Sequence, residues 1–115
     1  MKKCERLDET LIKQMMEILP GNNTIIRMAD IFQALQSETR LKLLFLLTNK
    51  DMCVCELTYA LDVTQSAISH SLRTLRQLDL VRVKKEGRYT VYYIADEHVR
   101  LLIEMCKQHV IEEGK

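Results

Sequence analysis

The chain has 115 residues, 17 Lys and Arg against 16 Asp and Glu, and a formal net charge of +1. That length suits one domain with a modest core, which a dimer sharing helices would reinforce. The near-neutral balance excludes a strongly basic nucleic-acid coating protein, so any DNA contact rests on local placement of charge.

Residues 7–18 read as an amphipathic helix with Leu11, Met15 and Ile18 on one side, and Pro20-Gly21-Asn22-Asn23 breaks it. A second helix is predicted from Ile25 to Leu35. A third runs from Ser37, a plausible N-cap, to Leu47, and its Leu41, Leu44, Phe45 and Leu47 make it central. Asn49-Lys50-Asp51 ends it. Cys53 to Leu61 forms a short fourth helix, and Asp62-Val63-Thr64 a tight turn. Thr64 or Ser66 then caps a longer helix to about Leu78. Its Ala67, Leu72, Leu75 and Leu78 are expected near one face, with Gln65, Ser66, Ser69, His70 and Arg73 on the other. From Val81 to Ile94 the period switches to two: Val81, Val83, Val91 and Tyr93 alternate with Arg82, Lys84, Thr90 and Tyr92 around a Lys85-Glu86-Gly87-Arg88 turn. Asp96 starts a last helix that reaches about Glu112. The expected class is mainly α with a β-hairpin, a winged helix-turn-helix with N- and C-terminal dimerisation helices. Residues 1–24 would be an N-terminal arm and helix, 25–94 the DNA-binding core, and 95–115 a C-terminal dimerisation and metal-sensing helix.

No apolar run approaches the length of a membrane span. Met1-Lys2-Lys3-Cys4 followed by charged residues lacks the apolar core of a signal peptide, which reads as a cytosolic chain. Cys4, Cys53, Cys55 and Cys106 are then expected to be reduced, and suited to thiol chemistry or metal binding rather than disulfides.

A recognition helix needs short donors and acceptors on the face it turns to the major groove. Thr64, Gln65, Ser66, Ser69 and His70 have that chemistry, with Arg73 placed further along for a phosphate. Lys84, Lys85 and Arg88 form a cationic finger for the backbone or minor groove. The expected partner is double-stranded operator DNA.

On the last helix, His98 and His109 are eleven residues apart. They share a side of the helix but stand about 16 Å apart along its axis. Zinc–nitrogen bonds are about 2.0–2.1 Å long, so one chain cannot close both imidazoles on one ion. Two helices packed antiparallel can: Asp96 and His98 of one copy meet His109 and Glu112 of the other, at both ends. Two imidazoles and two carboxylates suit tetrahedral Zn(II). Cys53 and Cys55 offer a second donor pair, whose thiolates favour softer ions such as Cd(II), Pb(II) or As(III). Cys106 falls among Leu102, Ile103 and Val110, expected in the core or a dimer interface. His70 has no acidic or Cys neighbour at metal spacing and reads as a DNA contact.

The segment from Phe32 to Ile94, with SETR at 37–40, CVC at 53–55, SxxSHxLRxLR at 66–76 and GRYTVYYI at 87–94, resembles the ArsR/SmtB family of metal-sensing repressors. The likeness covers roughly residues 25–112. It implies a winged-helix homodimer that represses an operon and leaves DNA when its inducer binds. Asp96-x-His98, ten residues, then His109-x-x-Glu112 is similar to the family's zinc-sensing pattern. In relatives with the CVC signature, these cysteines pair with thiols from the partner's N-terminal arm. Here Cys4 stands alone where those relatives offer two, with Asp8 or Glu56 to complete the shell, and no third thiol adjoins the pair as an arsenic site would need. A ligating imidazole ordinarily donates its other N–H to a carbonyl or carboxylate, and for His109 a carbonyl near Leu72 to Arg76 is the expected acceptor. Two alternatives remain: a thiol, redox or arsenic-type sensor acting through Cys53 and Cys55, and a metal-binding protein with no DNA role. Nothing resembles a nucleophile–base pair with an orienting third group or a phosphate-cradling glycine loop, so neither an enzyme nor a small organic substrate is expected.

Overall fold

The computed structural model describes residues 4–114. The Met1–Lys3 start of the arm and Lys115 lie outside them. The chain divides into two compact units, one ending at Asp30 and the other beginning at Ile31. In the first, α1 (Glu9–Ile18) is capped by Asp8, whose Oδ1 accepts from the Leu11 N–H at 3.2 Å. No residue of α1 is buried, and Leu11, Met15 and Ile18 all stand exposed. Then α2 (Asn22–Ala34) begins three residues earlier than expected, because the Gly21 carbonyl already accepts from the Ile25 N–H at 3.1 Å. Pro20-Gly21 is the break, and the two asparagines belong to the helix.

In the second unit, α3 (Glu38–Asn49) is capped by Ser37, whose Oγ accepts from the Arg40 N–H at 3.2 Å. Its Leu43, Leu44 and Leu47 occupy the centre of the core. A two-residue strand, β1 (Met52–Cys53), leads into α4 (Val54–Leu61). The next helix, α5 (Gln65–Gln77), buries Ile68, Leu72 and Leu75 completely. Those positions repeat at i, i+4 and i+7, one stripe of the helix. Ala67, expected on that stripe, lies about 100° round from Ile68 and is exposed. Buried on the stripe instead is Ser71, which the sequence reading did not select.

The hairpin is β2 (Val81–Glu86) and β3 (Tyr89–Ile94), and the antiparallel sheet has the order β1-β3-β2. Its register pairs Val81 with Ile94, Val83 with Tyr92 and Lys84 with Val91. Directly paired residues share a face, so Tyr92 and Ile94, not Tyr93, pack on the core with Val81. The alternation predicted within each strand is correct, but the phase between the strands is set by the turn. Lys85 and Glu86 remain paired with Thr90 and Tyr89, which leaves Gly87-Arg88 as a two-residue loop. Gly87 takes φ +60° at its first position, a region open to glycine at little steric expense. Val91 is buried at 6% although it faces away from Val81, because it sits in the central strand opposite Cys53 of β1. The last helix, α6 (Glu97–Glu113), returns Val99 and Ile103 to the core. Together α3–α5 and the hairpin form a winged helix-turn-helix. Among the described residues no helix is long and apolar enough to cross a membrane.

Candidate nucleic-acid interface and metal ligands

The turn into α5 closes through the Asp62 N–H, which donates to the Thr58 carbonyl at 3.1 Å, with Asp62 in the left-handed region at φ +52°. Thr64 then caps α5, its Oγ1 accepting from the Ala67 N–H at 3.1 Å. One lone pair of its hydroxyl is therefore committed to the helix, which leaves the other and the proton available. Replacing Thr64 with alanine should lower stability by about 1 kcal/mol, read as a reduced urea midpoint at unchanged slope. Gln65, Ser66, His70 and Arg73 are exposed and Ser69 is half-buried; together they line one open cleft. The helix thus turns its polar stripe outward because Ile68, Leu72 and Leu75 hold its back against the core.

Arg40 of α3, which sequence reasoning passed over as part of a signature, braces this helix. Its Nη2 donates to Thr74 Oγ1 and its Nη1 to the Ala34 carbonyl, each at 3.4 Å. Thr74 Oγ1 in turn donates to the His70 carbonyl at 3.3 Å. Arg40 had no signal of its own in the sequence, because Glu38, Thr39 and Lys42 make the first turns of α3 polar anyway.

The cations of the wing are not equivalent. Lys84 Nζ lies 2.7 Å from Asp51 and 3.5 Å from Glu86, and 5.3 Å from the Tyr93 ring centre. Hydrogen bonding to Asp51 raises its pKa. Arg82 makes two 2.9 Å bonds to Asp79, which hold that carboxyl below its usual range. Lys85 donates to Thr90 Oγ1 at 2.9 Å, and Arg88 Nη2 to the Tyr89 hydroxyl at 3.4 Å. Among the described residues Lys85 and Arg88 therefore pair with no carboxylate at the tip, whereas Lys84 is locally neutralised on the flank.

Asp96 caps α6, its Oδ1 accepting from the Val99 N–H at 3.1 Å. As the cap it lies outside the first turn, and this brings it to His98, two residues on, with Oδ1 and Nδ1 3.6 Å apart and the imidazole 94% exposed. Two ligands of a tetrahedral ion with bonds near 2.0 Å stand about 3.3 Å apart, so this pair fits one ion with little adjustment. His109 and Glu112 lie at the far end of α6, both exposed and on one face. No hydrogen bond joins His109 to α5 among the described residues, so the expected link to a carbonyl near Leu72 to Arg76 is absent within the single chain. No three His, Cys, Asp or Glu side chains among the described residues gather as a metal-binding group.

All four cysteines are free. Cys53 is the N-cap of α4 and half-buried, and Cys55 is exposed. Glu56 Oε1 accepts from the Cys53 N–H at 3.0 Å, and that bond, with one from the Cys53 side chain, holds the Glu56 carboxyl below its usual value. Both thiols open onto a cleft shared with Glu86 and Tyr89. Cys4 belongs to the N-terminal unit and is exposed. Cys106 is exposed too, not in the core; it lines an apolar cleft with Phe32, Leu35, Phe45, Leu102 and Val110.

The model of the bacterial regulatory protein arsR family matches residues 37–83, the stretch from the α3 cap to the first strand of the wing. A transcriptional repressor SmtB homolog from Synechocystis sp. is 41% identical over 86 residues, which cover 75% of this chain and 65% of that protein. A cadmium resistance transcriptional regulatory protein CadC homolog from Staphylococcus aureus is 34% identical over 82 residues, covering 70% of this chain and 68% of that one. A homodimeric winged helix-turn-helix DNA-binding domain from Mycobacterium bovis shares the fold, with a TM-score of 0.76 at 24% identity, over 84% of this chain and 92% of that one. With a family model matched across the helix-turn-helix and 34% identity to a relative covered over two thirds of its length, the chain belongs to the ArsR/SmtB family.

Proposed function

We propose that this protein is a metal-responsive transcriptional repressor of the cytoplasm. It binds double-stranded operator DNA as a metal-free homodimer and releases it when Zn(II), or a related ion such as Cd(II) or Pb(II), binds. The observation that carries the reading is the split donor set of α6: Asp96 beside His98 at its start and His109 with Glu112 at its end. The same helix exposes Leu101 and Met105, i and i+4 on the side of these donors, an apolar pair that a second copy would cover. Asp96 and His98 of one copy, with His109 and Glu112 of the other, would then hold each ion, which supplies a crosslink between copies and no catalysis.

Two contacts support coupling to DNA. Arg100, two residues after His98, donates from Nη1 to the Thr48 carbonyl near the end of α3 at 2.5 Å. Arg40, near the start of α3, bonds Thr74 on α5. A shift at the start of α6 is thus felt by the helix that supports the reading face. Coupling of this kind is reciprocal: bound DNA weakens the metal by the factor by which the metal weakens DNA.

The experiment is fluorescence anisotropy of a labelled duplex carrying the protein's own upstream region, with and without Zn(II), paired with Co(II) spectroscopy. Release on zinc and a cobalt spectrum free of thiolate charge-transfer bands are expected. DNA binding indifferent to Zn(II), Cd(II) and Pb(II) alike sinks the reading. Strong thiolate bands would move sensing to Cys53 and Cys55, which share one cleft.

A further inference from the structure

The groove between α5 and β3 holds a second polar surface, of which sequence reading selected Ser69 and Arg73 but not Arg76, Gln77 or Tyr92. Ser69, Arg73, Arg76, Gln77 and Tyr92 line an open cleft of about 420 Å³, which shares Ser69 and Arg73 with the cleft at the start of α5. Positions 69, 73 and 76 repeat at i, i+4 and i+7, so they form one stripe along the helix.

Two observations say what this cleft accepts. The first is charge. Arg40, Arg82, Arg88 and Arg100 each have a hydrogen-bond partner, whereas Arg73 and Arg76 have none among the described residues. No carboxylate lines either cleft. Two uncommitted guanidinium forks beside a phenol match the oxygens of a phosphate, which arginine engages bidentately. The second is length. The 13 residues of α5 span about 20 Å, whereas the major groove is about 12 Å wide. With its first turns at the base edges, the helix overruns the groove and sets its last turns over the sugar–phosphate rim.

We propose that Arg73, Arg76 and Tyr92 form a clamp for the phosphate backbone of duplex DNA, while Gln65, Ser66, Ser69 and His70 read the bases. The proposal rests on the DNA-binding reading above. Such contacts fix register and affinity but carry no sequence information, so the clamp acts on any duplex.

The test is a salt titration of the full-length protein on a fluorescein-labelled random-sequence duplex between 50 and 200 mM salt, roughly the range over which phosphate contacts dominate. Arg76→Ala should make the slope of log K against log salt shallower by about 0.9 for each copy of the residue on the duplex. Arg76→Lys should restore the slope without the full affinity. Tyr92→Phe should weaken binding at unchanged slope, because a neutral donor displaces no counterion. Arg76 is exposed, so folding is not at stake, and a urea melt checks it. An unchanged slope in Arg76→Ala, with wild-type binding intact, overturns the clamp alone. A wild-type protein that binds no duplex overturns the DNA-binding reading and the clamp with it.

Discussion

Alanine at both His98 and His109 should leave the DNA affinity of the metal-free protein where it stands and remove its weakening by zinc. Coupling free energies between two sites are typically about 1–3 kcal/mol, or roughly 5–150-fold in affinity, and the whole of that factor should vanish. Both imidazoles are exposed and neither supports the core, so stability should change by less than about 0.5 kcal/mol. Each single variant should be as damaging as the pair, because every site takes one histidine from each copy. The proposed pairing across copies makes a sharper prediction. In a mixed dimer of His98→Ala with His109→Ala, one site loses both imidazoles and the other keeps both. Co-refolding the two inactive variants should therefore return zinc response, with half the wild-type metal stoichiometry in the isolated mixed dimer. Sites built within one chain would show no rescue, since neither variant keeps both histidines.

Leu72→Ala should destabilise the protein by about 2–5 kcal/mol, seen as a large fall in the urea midpoint. Leu72 is fully buried on the inner stripe of α5, among Leu43, Leu44 and Ile68. Truncation removes its transfer free energy and leaves a cavity that the surrounding leucines cannot wholly fill. Small domains hold only about 5–15 kcal/mol in total, so the loss is a large fraction of the whole margin. The adjacent Arg73→Ala should do the opposite. Its side chain has no partner to lose among the described residues, so stability should stay within about 0.5 kcal/mol while DNA binding weakens. Two neighbours on one helix would then separate the inner face from the outer by two different measurements.

Much of this architecture was written locally. Ser37, Thr64 and Asp96 were readable as helix starts because a cap is satisfied three residues downstream, within the same turn. The polar stripe of α5 and the split donors of α6 were readable for the same reason: helical geometry alone relates residues a few turns apart. Ala67 was misplaced because four residues of spacing fix a stripe only to within one position, and the choice between Ala67 and Ile68 depended on what lay beneath.

What the order of residues settled by itself was the run of helices and the hairpin, the caps Ser37, Thr64 and Asp96, and the outward polar stripe of α5, since each depends on local spacing. The strand Met52–Cys53 was invisible, because two residues carry no period and only Val91 and Tyr92, far along the chain, make them a strand. The same holds for the salt bridge of Lys84 to Asp51, the brace from Arg40 to Thr74 and the cleft that joins Arg76 to Tyr92. Those pairings were decided by tertiary structure alone: which cation is spent on a carboxylate and which is left without one depends on distances between elements, and packing rather than local spacing sets those distances.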